Sequence, residues 1–252
     1  MRKKVILGNW KMNKNIDEAV AFCEEFKQFA IDINKLNVVV GVASTYLCLP
    51  YITKYASSMM IAAQNCHFEE KGAFTGEVSH SMLKSVGINA CIIGHSERRK
   101  YDNETSVKCN KKIKVLLADG IVPVYCVGET LEEYEAGKTK EIVETQVKEG
   151  LEGLTEKDFD YFVIAYEPVW SIGTGRNASV EIAEDVCKFV RDCVEKYVSK
   201  GAAEKVIIQY GGSVKTNNAY EYLHSPNIDG VLVGGASLEV NSFKELAHKA
   251  LD

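Results

Sequence analysis

The chain has 252 residues, 46% apolar and 26% charged, a balance that can bury a sizeable core and excludes an intrinsically disordered chain. Its formal net charge of -5 excludes a general nucleic-acid surface, which needs a clustered excess of Lys and Arg, so an anionic ligand must be held by local groups. Met1-Arg-Lys-Lys4 leads into too few apolar residues before Asn9 and Lys11 for a signal-peptide core or a membrane span, so a cytoplasmic location and no membrane partner are expected. Eight cysteines, at 23, 48, 66, 91, 109, 126, 187 and 193, contain no CxxC pair and read as reduced, mostly buried thiols and not as a zinc site or disulfide framework.

In chain order, the first predicted strand is Val5–Leu7, followed by Asn9 and Lys11. Val38–Val42 is the second and Met60–Ala63 the third, with Gln64 and Asn65 directly after it. Ala90–Ile93 leads into Gly94-His95. Val122–Val127 precedes Glu129 and the capping-box sequence Thr130-Leu-Glu-Glu133, whose Thr hydroxyl and Glu carboxylate each satisfy an orphan N–H at a helix start. Phe162–Ala165 runs into Tyr166, Glu167 and Pro168. The clearest helix spans Ser179 to Ser199, where Ala183, Val186, Cys187, Val190, Val194 and Tyr197 share one face. Val206–Tyr210 and Gly230–Val233 complete eight strands, and Gly87, Gly120 and Gly201 are expected to close helices before the next strand.

Strands that are apolar at consecutive positions suit burial on both faces, as in parallel sheets covered by crossover helices. The pattern is α/β without linker or composition break, predicting one domain over residues 1–252. Periodicity leaves a closed barrel and an open doubly wound sheet both possible. The polar residues favour closure: Asn9, Lys11, Gln64, Asn65, His95, Glu129, Glu167, Ser213, Gly234 and Gly235 all follow carboxyl ends of strands, where barrels build their sites. The predicted fold is therefore a (β/α)8 barrel.

Glu167 is the candidate base, a carboxylate at a strand tip whose next residue has its φ fixed by the proline ring. Pro168, Val169, Trp170, Ser171, Ile172, Gly173 and Thr174 read as a lid, in which Trp170 and Ile172 exclude water while Gly173 and Gly175 allow hinge rotation. His95 stands where a strand ends and a helical turn begins, and the positive end of that helix is expected to lower its pKa and keep it a neutral donor. Lys11 is the candidate cation for an anionic substrate. Glycine pairs at Gly211-Gly212 and Gly234-Gly235 follow the seventh and eighth strands, where barrels bind phosphate through closely approaching backbone N–H groups. An aldolase of the Schiff-base type would need a lysine within a strand core, and none of the eight contains one. A catalytically dead scaffold would be expected to lack Lys11, His95 or Glu167, and all are present.

Taken together, Gly8-Asn-Trp-Lys-Met-Asn13, Ala63-Gln-Asn-Cys66, Gly72-Ala-Phe-Thr-Gly-Glu77, Ile93-Gly-His-Ser-Glu-Arg-Arg99, Cys126-Val-Gly-Glu129, Ala165-Tyr-Glu-Pro-Val-Trp170, Gly173-Thr-Gly175, Tyr210-Gly-Gly-Ser-Val214 and Gly234-Gly-Ala-Ser237 resemble the triosephosphate isomerase family, in order along nearly the whole chain. The resemblance implies interconversion of dihydroxyacetone phosphate and D-glyceraldehyde 3-phosphate through an enediolate, without cofactor or metal. It implies Glu167 as base, His95 as neutral electrophile, and Lys11 with Asn9 as stabilisers of the oxyanion and the phosphate. Glu97 and Cys126 would stand behind these groups, and Gly173, Ser213, Gly234 and Gly235 would bind phosphate. It further implies a homodimer in which Phe74, Thr75, Gly76 and Glu77 of one subunit dock beside Lys11 and His95 of another, near Ser44, Thr45 and Tyr46. Ser171, Val180 and Ala43-Ser44-Thr45 depart from the commoner pattern of that family, in the lid, the following helix start and the second loop.

Overall fold

The computed structural model describes residues 2–172 and 177–251. Eight strands, β1 (Lys4–Asn9), β2 (Val38–Ser44), β3 (Met60–Ala63), β4 (Ala90–Ile93), β5 (Val122–Val127), β6 (Val163–Tyr166), β7 (Ile207–Tyr210) and β8 (Gly230–Val233), pair in sequence order into a closed barrel. All ladders are parallel, and β8 returns to β1 through Val5↔Gly230 to Gly8↔Val233. The expectation of closure holds.

Both faces of each strand are buried, which is why the strands read as continuous apolar runs. Leu7, Ala43, Ala62, Ala90, Ile92, Val124, Cys126, Val163, Ala165 and Leu232 pack inside the barrel. Their odd- or even-numbered neighbours, such as Ile6, Val42, Cys91, Tyr125 and Ile164, join the layer between sheet and helices. All eight cysteines are buried, as expected of core thiols.

Boundaries shift where local contacts compete with the apolar pattern. The sixth strand starts at Val163 and not Phe162, whose ring stacks on Phe159 with centroids 4.8 Å apart. The seventh starts at Ile207, because the Val206 N–H bonds Ala202 O and ends the helix Lys200–Lys205. Gly201 therefore lies inside a helix and does not close one. A Cβ there would fall 2.2 Å from the Glu156 carboxylate, so the missing side chain admits that neighbour. Gly87 and Gly120 do follow helix ends, at φ +81 and +73. The long helix runs Val180–Tyr197 with Ser179 as its N-cap, and the capping box of Thr130 and Glu133 forms.

Candidate active site

Strand alternation selects which side chains face the mouth. Residues two beyond an inward-facing strand residue point the same way, so Leu7 predicts Asn9, Ala62 predicts Gln64, Cys126 predicts Gly128, Ala165 predicts Glu167 and Leu232 predicts Gly234. Large groups project at Asn9, Gln64 and Glu167, whereas Gly128, Gly211 and Gly234 leave room between them. The resulting cavity, about 300 Å³, is lined by Asn9, Lys11, His95, Glu167, Ile172, Leu232 and the loops 211–215 and 234–236. A second, adjoining cavity of about 550 Å³ shares Asn9, Lys11 and His95 and opens towards Met12, Ser44, Thr45, Tyr46, Gln64, Asn65, Glu97 and Arg98.

His95 breaks the alternation. Counting from Ile92, residue 94 should face inward and residue 95 outward, but Gly94 adopts φ +73 and re-aims the chain. His95 then caps the helix Ser96–Asp102: its Nδ1 accepts the Glu97 N–H at 3.2 Å, which leaves Nε2 to carry the proton. Nε2 lies 2.9 Å from Glu167 Oε1. Burial disfavours the imidazolium, but the charge of Glu167 and its hydrogen bond outweigh burial, so the His95 pKa stands above its ordinary value. The expected lowering by the helix end is thus reversed while this pair is formed.

Glu167 is almost fully buried, with 2% of its surface exposed. Its backbone continues the β6 ladder, N–H to Val127 O at 2.7 Å, and its Oε2 accepts the Ser96 N–H at 2.9 Å from the helix start. Burial pushes its pKa up, but the attraction of His95, the two hydrogen bonds and Lys11 together bring it below the ordinary carboxylate value. Cys126, buried beneath the carboxylate, has its thiol pushed well up by burial and then by the Glu167 charge, so it stays a neutral thiol.

Lys11 occupies the left-handed region at φ +53, which costs a non-glycine residue about 1–3 kcal/mol. Its neighbours hold it there: Asn9 Oδ1 accepts the Lys11 N–H at 3.1 Å, and Gln64 Nε2 donates to Lys11 O at 2.9 Å and to Ala43 O at 3.0 Å. The ammonium pairs with Glu97 Oε1 at 2.6 Å on the rim of the cavity.

The turn after Glu167 differs from expectation. Pro168 sits at φ -65, Val169–Ser171 forms a 3-10 turn, and of the two large apolar residues only Ile172 lines the cavity. Trp170 turns the other way, buried with its Nε1 donating to Glu129 Oε1 at 2.8 Å. Glu129 itself does not join the mouth: one residue past inward-facing Gly128, its carboxylate takes the Tyr166 hydroxyl at 3.1 Å in the helix layer, and burial raises its pKa. Gly173, Thr174 and Gly175 lie outside the described residues.

Several residues support the site in roles that the sequence did not assign to them. Glu104 accepts the Gly94 N–H at 3.0 Å, and a buried ion pair with Lys112 holds it, while Lys112 also donates to Asn65 Oδ1 at 2.8 Å. Arg99 bridges two strand ends, bonding Gly94 O at 2.8 Å and Cys126 O at 3.0 Å. The segment Phe74 to Glu77 projects into solvent, with Phe74 43% exposed and its ring 4.5 Å from that of His67. Among the described residues no group of three or more His, Cys, Asp or Glu could hold a metal ion, and no helix is long and apolar enough to cross a membrane.

Comparison with known proteins agrees with this geometry. A family model described as triosephosphate isomerase matches residues 4–250. The triosephosphate isomerase of Acetivibrio thermocellus is 49% identical over 248 residues, covering 98% of each chain. That of Streptococcus pneumoniae is 49% identical over 249 residues, covering 97% of each.

Proposed function

This chain belongs to the triosephosphate isomerase family, and from that membership we propose how its residues divide the work of the reaction. The protein is an aldose–ketose isomerase that interconverts dihydroxyacetone phosphate and D-glyceraldehyde 3-phosphate. The observation that carries the assignment of roles is the meeting of Glu167, His95 and Lys11, contributed by three different strand ends, at one small cavity.

Glu167 is the base. As a carboxylate it takes the proton from the carbon next to the carbonyl; the electron pair of that C–H bond forms the C=C bond and the carbonyl π pair moves to oxygen, giving an enediolate. A proton delivered by the Glu167 carboxylic acid to the neighbouring carbon completes the isomerisation with no net oxidation. Engaged with His95 and Ser96, the carboxylate is a weak base. Exchanging those donors for a substrate carbon beside Ile172 and Leu232 desolvates it and raises its basicity, bringing the carboxyl pKa closer to that of the substrate C–H. His95 Nε2–H, freed from Glu167, donates to the substrate oxygens and relays a proton between them, while the bond at Nδ1 keeps the ring neutral in the complex. Lys11, helped by Asn9, supplies positive charge for the oxyanion and the phosphate. Glu97 anchors the Lys11 ammonium, and Cys126 gives Glu167 an uncharged floor.

The loops at Ser213 and at Gly234-Gly235, together with Gly173 of the lid, bind the phosphate. Pro168 to Thr174 act as the lid that keeps water from the enediolate. Residues 1–252 act as one catalytic domain, in the cytoplasm, as a homodimer. The exposed Phe74-Thr75-Gly76-Glu77 segment of one copy fills the 550 Å³ cavity of the other, which has Ser44, Thr45 and Tyr46 on its wall. No cofactor or metal enters this scheme.

Isomerisation in D2O tests the proton-transfer scheme. Product formed from dihydroxyacetone phosphate is expected to carry deuterium at the carbon that receives the proton, because a carboxylic acid exchanges with solvent during the life of the enediolate. Product formed at full rate with no deuterium would indicate direct hydride migration and contradict the scheme.

A further inference from the structure

Gly128 is the first residue past β5, is buried, and stands directly against the backbone of Glu167. The planar peptide unit joining Val127 to Gly128 carries two groups that point opposite ways: its C=O accepts the Glu167 N–H at 2.7 Å, so its N–H faces away from β6. On that side the neighbour is β4, but the β4–β5 ladder ends at Ile93↔Tyr125. A buried peptide group left there without a partner would cost free energy. The side chain of Gln146 takes the vacated place. Its Oε1 accepts the Gly128 N–H at 2.7 Å and its Nε2 donates to Gly128 O at 3.1 Å, so one amide pairs with both backbone groups as a neighbouring strand would. The helix that carries it, Thr139–Gly150, is fixed against β5 by other contacts: Val143 and Val147 are buried, and the Tyr125 hydroxyl donates to Gln146 O at 2.7 Å. Gly150 admits the Tyr125 ring, which a Cβ there would meet at 2.4 Å. A continuous chain of hydrogen bonds thus runs from this helix through the Gln146 amide and the 127–128 peptide to the Glu167 N–H, each bond polarising the next.

We propose that Gln146 is a positioning residue for the isomerisation: its amide fixes the tilt of the 127–128 peptide and thereby the point at which the Glu167 backbone leaves β6. Gln146 lines neither cavity at the mouth and acts through this peptide. The inference rests on the reading of Glu167 as the base. Without the amide the peptide is free to rotate, and a displacement of the base approaching 1 Å lowers the rate of proton transfer by about 100-fold. Lys11 and the loops at Ser213 and Gly234-Gly235 are held by other contacts, so binding of the phosphate should not follow the rate.

The test measures kcat and KM for dihydroxyacetone phosphate, the dissociation constant of inorganic phosphate by calorimetry, and the melting temperature, in Gln146→Met, Gln146→Asn and Glu167→Gln beside the unmodified protein. Gln146→Met keeps the length of an unbranched helix-forming side chain and removes both hydrogen bonds. It is expected to lower kcat by about 10- to 100-fold while KM and the phosphate constant stay within about twofold. Gln146→Asn keeps an amide but draws it back by one carbon, so it should show the same split, and it decides the matter if Gln146→Met does not fold. A merely structural role would lower the melting temperature of these variants and leave kcat within about twofold of the unmodified value wherever they are folded. That result, with Glu167→Gln inactive, overturns the inference alone. A folded Glu167→Gln that isomerises at the unmodified rate overturns the reading of Glu167 and the inference with it.

Discussion

Glu167 and His95 hold each other in states that neither would adopt alone. The carboxylate is ionised below its ordinary range because imidazole, ammonium and a helix-start N–H converge on it, and the imidazole is raised because the carboxylate faces it. A depressed carboxylate pKa contributes stability that is present at neutral pH and lost as pH falls through the folded value. Following the Glu167 side-chain carboxyl carbon by NMR against pH should give a midpoint below the ordinary 4.5, and a midpoint above it would contradict the arrangement. At this scale the sequence names the groups but not their electrostatics. Glu167, Lys11 and His95 stand out because each follows a strand, whereas the direction of the His95 shift depends on a partner 72 residues away that lies 2.9 Å from it in space. The bracing roles of Glu104, Lys112 and Arg99 around Gly94 and the strand ends were illegible because they depend on which groups the fold brings together: Lys112 reaches Asn65, 47 residues away, and Arg99 reaches Cys126 O, 27 residues away.

At the scale of strands and turns, alternation does most of the work of aiming side chains, and it could be read from the sequence once the inward set was known. What it could not reveal is where the alternation stops. Gly94 turns His95 back to the mouth by adopting φ +73, and Glu129 and Trp170 face the helix layer although both lie near strand ends. Gly128 shows how close the packing is behind the base: a Cβ there would stand 1.8 Å from the Glu167 carbonyl oxygen, a contact with backbone that cannot swing aside. Gly128→Ala is therefore expected to cost about 1–3 kcal/mol of stability and to displace the Glu167 backbone. A displacement approaching 1 Å lowers kcat by about 100-fold. Thermal unfolding and steady-state kinetics check both, and a variant with unchanged kcat would show that the β5–β6 contact does not position the base.

Across the whole molecule, closing the sheet brings residues 9 and 235 to one cavity, so barrel closure is the step that converts scattered polar residues into a site. Eight strands and their order were legible because burial on both faces leaves an unmistakable apolar signature, and their ends were less so because rings such as Phe162 pack locally in place of extending a strand. The assembly reading rests on a projecting loop and an open cavity beside Lys11 and His95. Phe74→Glu should shift the protein towards monomer in sedimentation velocity and reduce activity with it, whereas an unchanged mass would remove Phe74 from the interface.

The most direct measurement is the conversion of dihydroxyacetone phosphate to D-glyceraldehyde 3-phosphate in a coupled assay, with the unmodified protein beside Glu167→Gln. Gln keeps the size of the side chain and removes the base, so turnover is expected to fall by about 100- to 10,000-fold while the melting temperature shows that the fold persists. A folded Glu167→Gln variant that still isomerises at the unmodified rate would contradict the assignment of Glu167 as the proton-transferring group.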